Sequence, residues 1–207
     1  YRLPHVPDEY RVLAWSNERV RDYNRWIRSF YGYKLPYEAE EVVVTNKPLF
    51  ADKSIVAPTD TKHVIESAYP SVRDGINGFN IRLYNIAGVF FQPNDWKQAE
   101  ELQKQYAKDA KLTKNWGPYF DIKESWADFR PIHASTVHKS QGSTYREVFI
   151  DLTNIGKNTQ WREVARLTYV AITRASEKVH IFGKLSKNYN KRPLADLMAG
   201  FAQIDCL

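Results

Sequence analysis

From Pro131 to Gly183 the chain alternates between short β-branched or aromatic runs and a longer stretch of helical period, and few folds accept that order. Pro131–Thr136, Glu147–Asp151 and Lys178–Gly183 read as strands. Gln160–Arg174 reads as a helix with Val164, Leu167 and Ala171 on one face. The same alternation opens the chain. Arg11-Val12-Leu13-Ala14-Trp15 predicts a short buried strand, and Ser16 or Asn17 caps a helix whose apolar positions Val20, Tyr23, Ile27 and Phe30 recur at helical spacing before Gly32 stops it. A last helix is predicted over Pro193–Phe201, with proline at its start. Strands apolar on both faces and alternating with helices predict an α/β fold, a parallel sheet covered by helices on both sides.

Residues 36–130 break the alternation. Glu41–Thr45, His63–Ile65 and Phe79–Phe91 are strand-like, with Pro48, Pro58, Pro70 and Gly75 between them. Asn94–Leu112 follows as an amphipathic helix with Trp96, Ala99, Leu102 or Gln103, Tyr106 and Ala110 along one side, and its lysine-rich remainder is a solvated face. The aromatic stretch Tyr119–Phe129 leads back. The expected organisation is one α/β domain made of residues 1–35 and 131–207, interrupted over 36–130 by a small β-rich accessory module with a helical extension.

Charge narrows the partners. Thirty Lys and Arg against 24 Asp and Glu leave a net +6, which suits a polyanion, and six Trp with thirteen Tyr supply rings on which bases stack. A single cysteine, Cys206, excludes an internal disulfide framework. No apolar run approaches the ~20 residues of a transmembrane helix, and no signal-peptide pattern opens the chain. A cytoplasmic setting, host cytoplasm for a viral protein, is expected, with no membrane partner. The chain starts at Tyr1 rather than Met, which predicts a fragment.

The chemistry concentrates in Ser135–Asp151. Thr136, His138, Lys139, Gln141 and Gly142 form a polar bend after a strand, which predicts a site at the carboxyl edge of the parallel sheet. Threonine hydroxyls, backbone N–H groups and lysine hold phosphates; histidine stacks or hydrogen-bonds. Glutamine orients a water or a phosphate oxygen, and glycine lets backbone come close.

Thr136-Val-His-Lys-Ser-Gln-Gly-Ser-Thr144 resembles motif V of superfamily 1 helicases of the Dda-like and RecD-like branch, and Leu167-Thr-Tyr-Val-Ala-Ile-Thr-Arg-Ala175 resembles their motif VI. Val12–Asn24, with Asn17 and Asn24, resembles the weaker motif IV. The resemblance implies the second RecA-like motor domain, with a small SH3-like β module and helical extension inserted between motifs IV and V. It implies that Arg174 is an arginine finger for the γ-phosphate of ATP, supported by Tyr169 and Thr173. Gln141 and Gly142 would lie near the nucleotide, and Thr136, His138 and Lys139 on translocated single-stranded DNA. Trp96, Trp116, Tyr119 and Trp126 would stack on the strand or pack within the module. Many relatives carry Glu where this sequence has Thr144, which leaves the ribose contact open.

No Gly-x-x-x-x-Gly-Lys-Ser/Thr occurs in the sequence, and no Asp-Glu pair follows an apolar strand. The resemblance therefore implies that the phosphate-cradling loop and the Mg²⁺ site belong to an N-terminal RecA-like motor domain of the same protein. The implied activity is an ATP-dependent DNA helicase moving 5′ to 3′. A non-enzymatic single-strand-binding module and a viral RNA helicase of the same superfamily are the alternatives.

Overall fold

The computed structural model describes residues 9–52, 54–185 and 189. In chain order it forms β1 (Tyr10–Ala14), α1 (Asn17–Phe30), β2 (Val42–Thr45), β3 (Leu49–Ala51) and β4 (Ser54–Ala57). The long strands β5 (Lys62–Arg73), β6 (Ile76–Leu83) and β7 (Ile86–Pro93) precede α2 (Trp96–Thr113) and the single turn α3 (Gly117–Phe120). A π-helical turn over Asp121–Ser125 leads to β8 (Phe129–Pro131) and β9 (Ala134–Thr136). The chain ends, as described, with β10 (Tyr145–Asp151), the short α4 (Leu152–Ile155), α5 (Trp161–Ile172) and β11 (Ala175–Phe182). The helix predicted over Pro193–Phe201 lies outside the described residues. Two compact units result: the described parts of Tyr1–Tyr31 and Ile132–Leu207 form one, and Gly32–Pro131 the other.

The first unit is a parallel sheet in the order β11-β10-β1-β9. Side chains alternate across a strand, so neighbours in β1 serve opposite faces. Val12, with Ala134 and Phe149, packs against Val20, Tyr23 and Ile27 of α1. Leu13, one residue on, joins Val148, Ile150 and Val137 against Val164, Leu167 and Ala171 of α5. Helices thus cover both faces, as the strand–helix alternation predicts. Ser16 starts α1 by accepting the Arg19 N–H on its hydroxyl. β11 departs from the expectation of strands apolar on both sides. As the edge strand it is half exposed, with Ile181 and Phe182 in contact with solvent.

Asn24 closes the opposite edge. Its amide donates to the Ala134 carbonyl at 3.2 Å and accepts the Ala134 N–H at 2.9 Å. A buried side chain thereby satisfies the two backbone groups that β9, with no further strand beside it among the described residues, would leave unpaired.

The second unit is antiparallel, in the order β7-β6-β5-β2-β8, with the hairpin β3-β4 beside it. Val43, Leu49, Ile65, Phe79, Ile81, Phe90 and Phe129 fill its core. Three sequence expectations change here. Phe79–Phe91 is not one strand but two, reversed between Leu83 and Ile86. His63–Ile65 is the start of a twelve-residue strand that runs straight through Pro70. The β2 side of β5 is bonded as far as Ile65, so among the described residues the rest of β5 has an open edge on which a residue without an N–H costs no ladder bond. The β3-β4 hairpin, too short for a clear periodicity, has no counterpart in the sequence reading. Asp74 and Gly75, at φ 51° and 76°, supply the two left-handed residues of the β5–β6 turn.

α2 starts where Asp95 accepts the Lys97 N–H and ends at Lys114 in the left-handed region. Ala99 presses it onto Phe91, Ile122 and Trp126. Trp126 is fully buried against Phe91, and Trp96 carries Lys47 over its ring at 4.6 Å, so both are packing residues. Lys47 donates to the carbonyls of Ile122 and Lys123, fixing the π-helical turn, and burial pulls its pKa down to about 8. Trp116 and Phe120 remain exposed beside Tyr119.

Candidate functional site: a loop pinned along helix α5

Thr136 ends β9 at the carboxyl edge of the parallel sheet, level with Ala14. The chain then tightens through successive short turns: Ser140 N–H donates to the carbonyls of Thr136 and Val137, Gln141 N–H to that of His138, and Ser143 N–H to that of Ser140. By Tyr145 it has reached the amino edge, where β10 pairs with the first residue of β11. The drop from Thr136 to Tyr145 is about six strand residues, roughly 20 Å at ~3.3 Å each. Thr136 lies at the carboxyl edge, but the loop carries Ser143 to the opposite edge, where it meets Arg174. The sequence reading anchored the bend at the end of its first strand. What it could not see was that β10 begins well below the level at which β9 ends.

Within the loop the side chains divide by burial. Val137 and Ser140 face inward, the latter donating its hydroxyl to the Val137 carbonyl. His138 and Gln141 face out, and Lys139 N–H caps onto the Thr136 hydroxyl at 3.2 Å. Gly142 sits at φ 84°, and a β-carbon there would meet nothing within 4 Å. Left-handed backbone of this kind is what glycine accommodates without strain.

Arg174 follows the last turn of α5. Its Nη1 donates to the Ser143 carbonyl at 3.2 Å, its Nε to Val170 O at 3.2 Å and its Nη2 to the Thr173 hydroxyl at 3.1 Å. Among the described residues it has no carboxylate partner. All three acceptors are neutral oxygens, which a phosphate oxygen outcompetes as an acceptor. Thr173 supports the guanidinium directly. Tyr169 does so only through its carbonyl, which accepts the Thr173 N–H, and its ring is exposed rather than core.

Two features escaped the sequence reading. Glu163, in the first turn of α5, lies 3.4 Å from His138 Nε2 and takes two hydrogen bonds from Arg166 at 2.7 and 3.0 Å. Those Arg166 bonds hold its carboxyl below the usual range. The only signal was an i,i+3 acid–base pair, too common to single out. The second lies at the carboxyl edge. Asp151 accepts from Tyr23 and from Arg19 Nε at 2.9 Å, while Asn154 accepts the N–H groups of Trp15 and Ser16. Burial pushes the Asp151 carboxyl up, and these donors together with the Asn154 N–H bring it below its ordinary value. Burial and Asp151 raise Tyr23 to about 12. This network fixes the end of β1 and the start of α1 to the end of β10.

Among the described residues no cluster of three or more His, Cys, Asp or Glu could hold a metal ion, and no helix is long and apolar enough to cross a membrane. Residues 131–182, which hold the loop, α5 and Arg174, match the family described as UvrD-like helicase C-terminal domain. An uncharacterised protein of Acanthamoeba polyphaga mimivirus is 30% identical over 188 residues, covering 86% of this chain and 35% of that protein. Two solved structures are similar. The Pif1 helicase from Candida albicans has a TM-score of 0.43 at 12% identity, over 98% of this chain and 51% of that one. The Pif1 helicase from Bacteroides, in complex with ADP-AlF3 and ssDNA, has a TM-score of 0.46 at 12% identity, over 96% and 46%. The chain spans about a third of the mimivirus protein and about half of each helicase chain. Its resemblance to superfamily 1 helicases, carried by motifs V and VI, is thus matched by a UvrD-like helicase C-terminal domain over residues 131–182.

Proposed function

We propose that this chain is the C-terminal motor half of an ATP-dependent DNA helicase, one that translocates 5′ to 3′ on single-stranded DNA and unwinds duplex. The observation that carries the reading is Arg174, a guanidinium bonded only to neutral oxygens and joined to the loop of motif V, inside the segment that matches a helicase C-terminal domain. In this reading Arg174 is the finger that neutralises charge on the transferred phosphoryl group of ATP. Gln141 and Gly142 lie beside the nucleotide, while Thr136, His138 and Lys139 hold the strand. An N-terminal RecA-like motor domain of the same protein supplies the phosphate-cradling loop and the residues that hold Mg²⁺, since neither pattern occurs in these residues.

The test is Arg174→Ala in the protein joined to its P-loop domain. DNA-stimulated ATP turnover should fall by about 10³-fold or more, with affinity for single-stranded DNA retained. Unchanged turnover refutes the finger. The 207-residue chain by itself should show no DNA-stimulated ATPase; turnover there that Arg174→Ala removes would refute the need for a second motor domain.

A further inference from the structure

The motif V loop is joined to α5 at both of its ends. At one, His138 Nε2 meets Glu163 Oε1 at 3.4 Å in the first turn of the helix. At the other, Ser143 O accepts from Arg174 Nη1, and the Tyr145 N–H donates to Arg174 O at 2.8 Å. Next to the first joint, Val137 packs in one cluster with Val164, Leu167 and Ala171. Glu163 and Arg174 are eleven residues apart along the chain, roughly 16 Å of helix at ~1.5 Å per residue. Loop and helix therefore form one body, and a displacement imposed on the Arg174 end is carried to the His138 end.

The first joint ends on a side chain that faces solvent. His138 is half exposed, and an exposed imidazole rotates freely about two bonds unless something holds it. Glu163 is the more buried partner and is itself held by the two Arg166 bonds.

We propose that Glu163 is a positioning residue for nucleic-acid binding: its carboxylate engages His138 Nε2 and so presents the ring face and Nδ1 to the strand, while Arg166 keeps the carboxylate in place. This rests on the reading of His138 as a strand contact. Glu163 touches no nucleic acid in this arrangement. It converts the position of α5 into the orientation of one contacting ring, and so makes the grip on the strand depend on what Arg174 binds.

The experiment uses the 207-residue chain and a fluorescein-labelled oligothymidylate, with affinity read by anisotropy. Glu163→Asp keeps the negative charge and shortens the reach, so general repulsion of the polyanion is unchanged. It should weaken binding by about two- to five-fold, the scale of a partly exposed charged pair. In a His138→Ala background the same substitution should change nothing further, because the ring it positions is gone. The His138 imidazole resonances of the DNA-free protein should also shift in Glu163→Asp while the thermal midpoint stays in place. If His138→Ala weakens binding but Glu163→Asp does not, or weakens it equally in both backgrounds, the positioning role is refuted and the strand contact stands. If His138→Ala leaves affinity unchanged, both fall. Unmoved imidazole resonances refute the positioning role by themselves, without reference to DNA.

Discussion

Replacing Asn24 by alanine removes two hydrogen bonds at once, and the structure sets the cost. Asn24 and Ala134 are both buried, and among the described residues β9 has no strand on its outer side, so neither water nor backbone replaces the amide. Each buried backbone group left unpaired costs about 1–3 kcal/mol, giving a loss of roughly 2–6 kcal/mol. For a chain of this length each kcal/mol lowers Tm by about 2–4 °C, so a fall of roughly 4–24 °C is expected in circular-dichroism melting. Amide exchange adds a local readout. The Ala134 N–H should lose protection far more than that of Ile150 in the sheet centre. Asn24→Asp retains the acceptor but faces the Ala134 carbonyl with a carboxylate, and should fall at least as far. A drop in Tm below about 2 °C with Ala134 protection intact would refute the assignment of Asn24 as the edge clip.

Three further outcomes follow from single residues. His133 is half-buried between Tyr10 and Tyr31, and desolvation there, with the nearby Arg11 and Arg28 cations, lowers its pKa to about 4. Because the folded value lies below the ordinary ~6.5, the unfolded chain takes up the proton first as pH falls. Stability is then full above about pH 6.5 and declines toward pH 4, by about 2 kcal/mol at pH 5, and urea titrations at pH 7 and 5 should show a smaller loss for His133→Phe. Trp126→Ala should destabilise the antiparallel unit by about 3–5 kcal/mol, whereas Trp126→Phe, which deletes an indole N–H that has no hydrogen-bond partner among the described residues, should cost under about 1.5 kcal/mol in denaturant unfolding. If Lys139 holds a phosphate, Lys139→Ala should flatten the slope of log affinity against log salt by about 0.7 for a single strand; an unchanged slope removes it from the interface.

Legibility in the sequence followed the range of the interactions involved. α1 and α5 were readable because their apolar faces repeat within the helix, and both β1 and β10 are runs too apolar for the surface. The β3-β4 hairpin and the passage of β5 through Pro70 were not, since each depends on which strand lies alongside. Arg174 and the loop residues could be singled out as an ordered string. The partners that hold them, Ser143 for Arg174 and Glu163 for His138, could not.

The amino-acid sequence by itself determined the strand–helix alternation, the insertion of a β-rich segment into it and the presence of two helicase-like motifs without a phosphate-binding loop. All of these are local patterns, set by periodicity and residue type. Only the tertiary structure decided that the motif V loop crosses from one edge of the sheet to the other and lies pinned along α5. That arrangement comes from the register of parallel strands and the burial of Val137 beneath a helix some thirty residues downstream, and contacts at that separation leave no periodic trace in the chain.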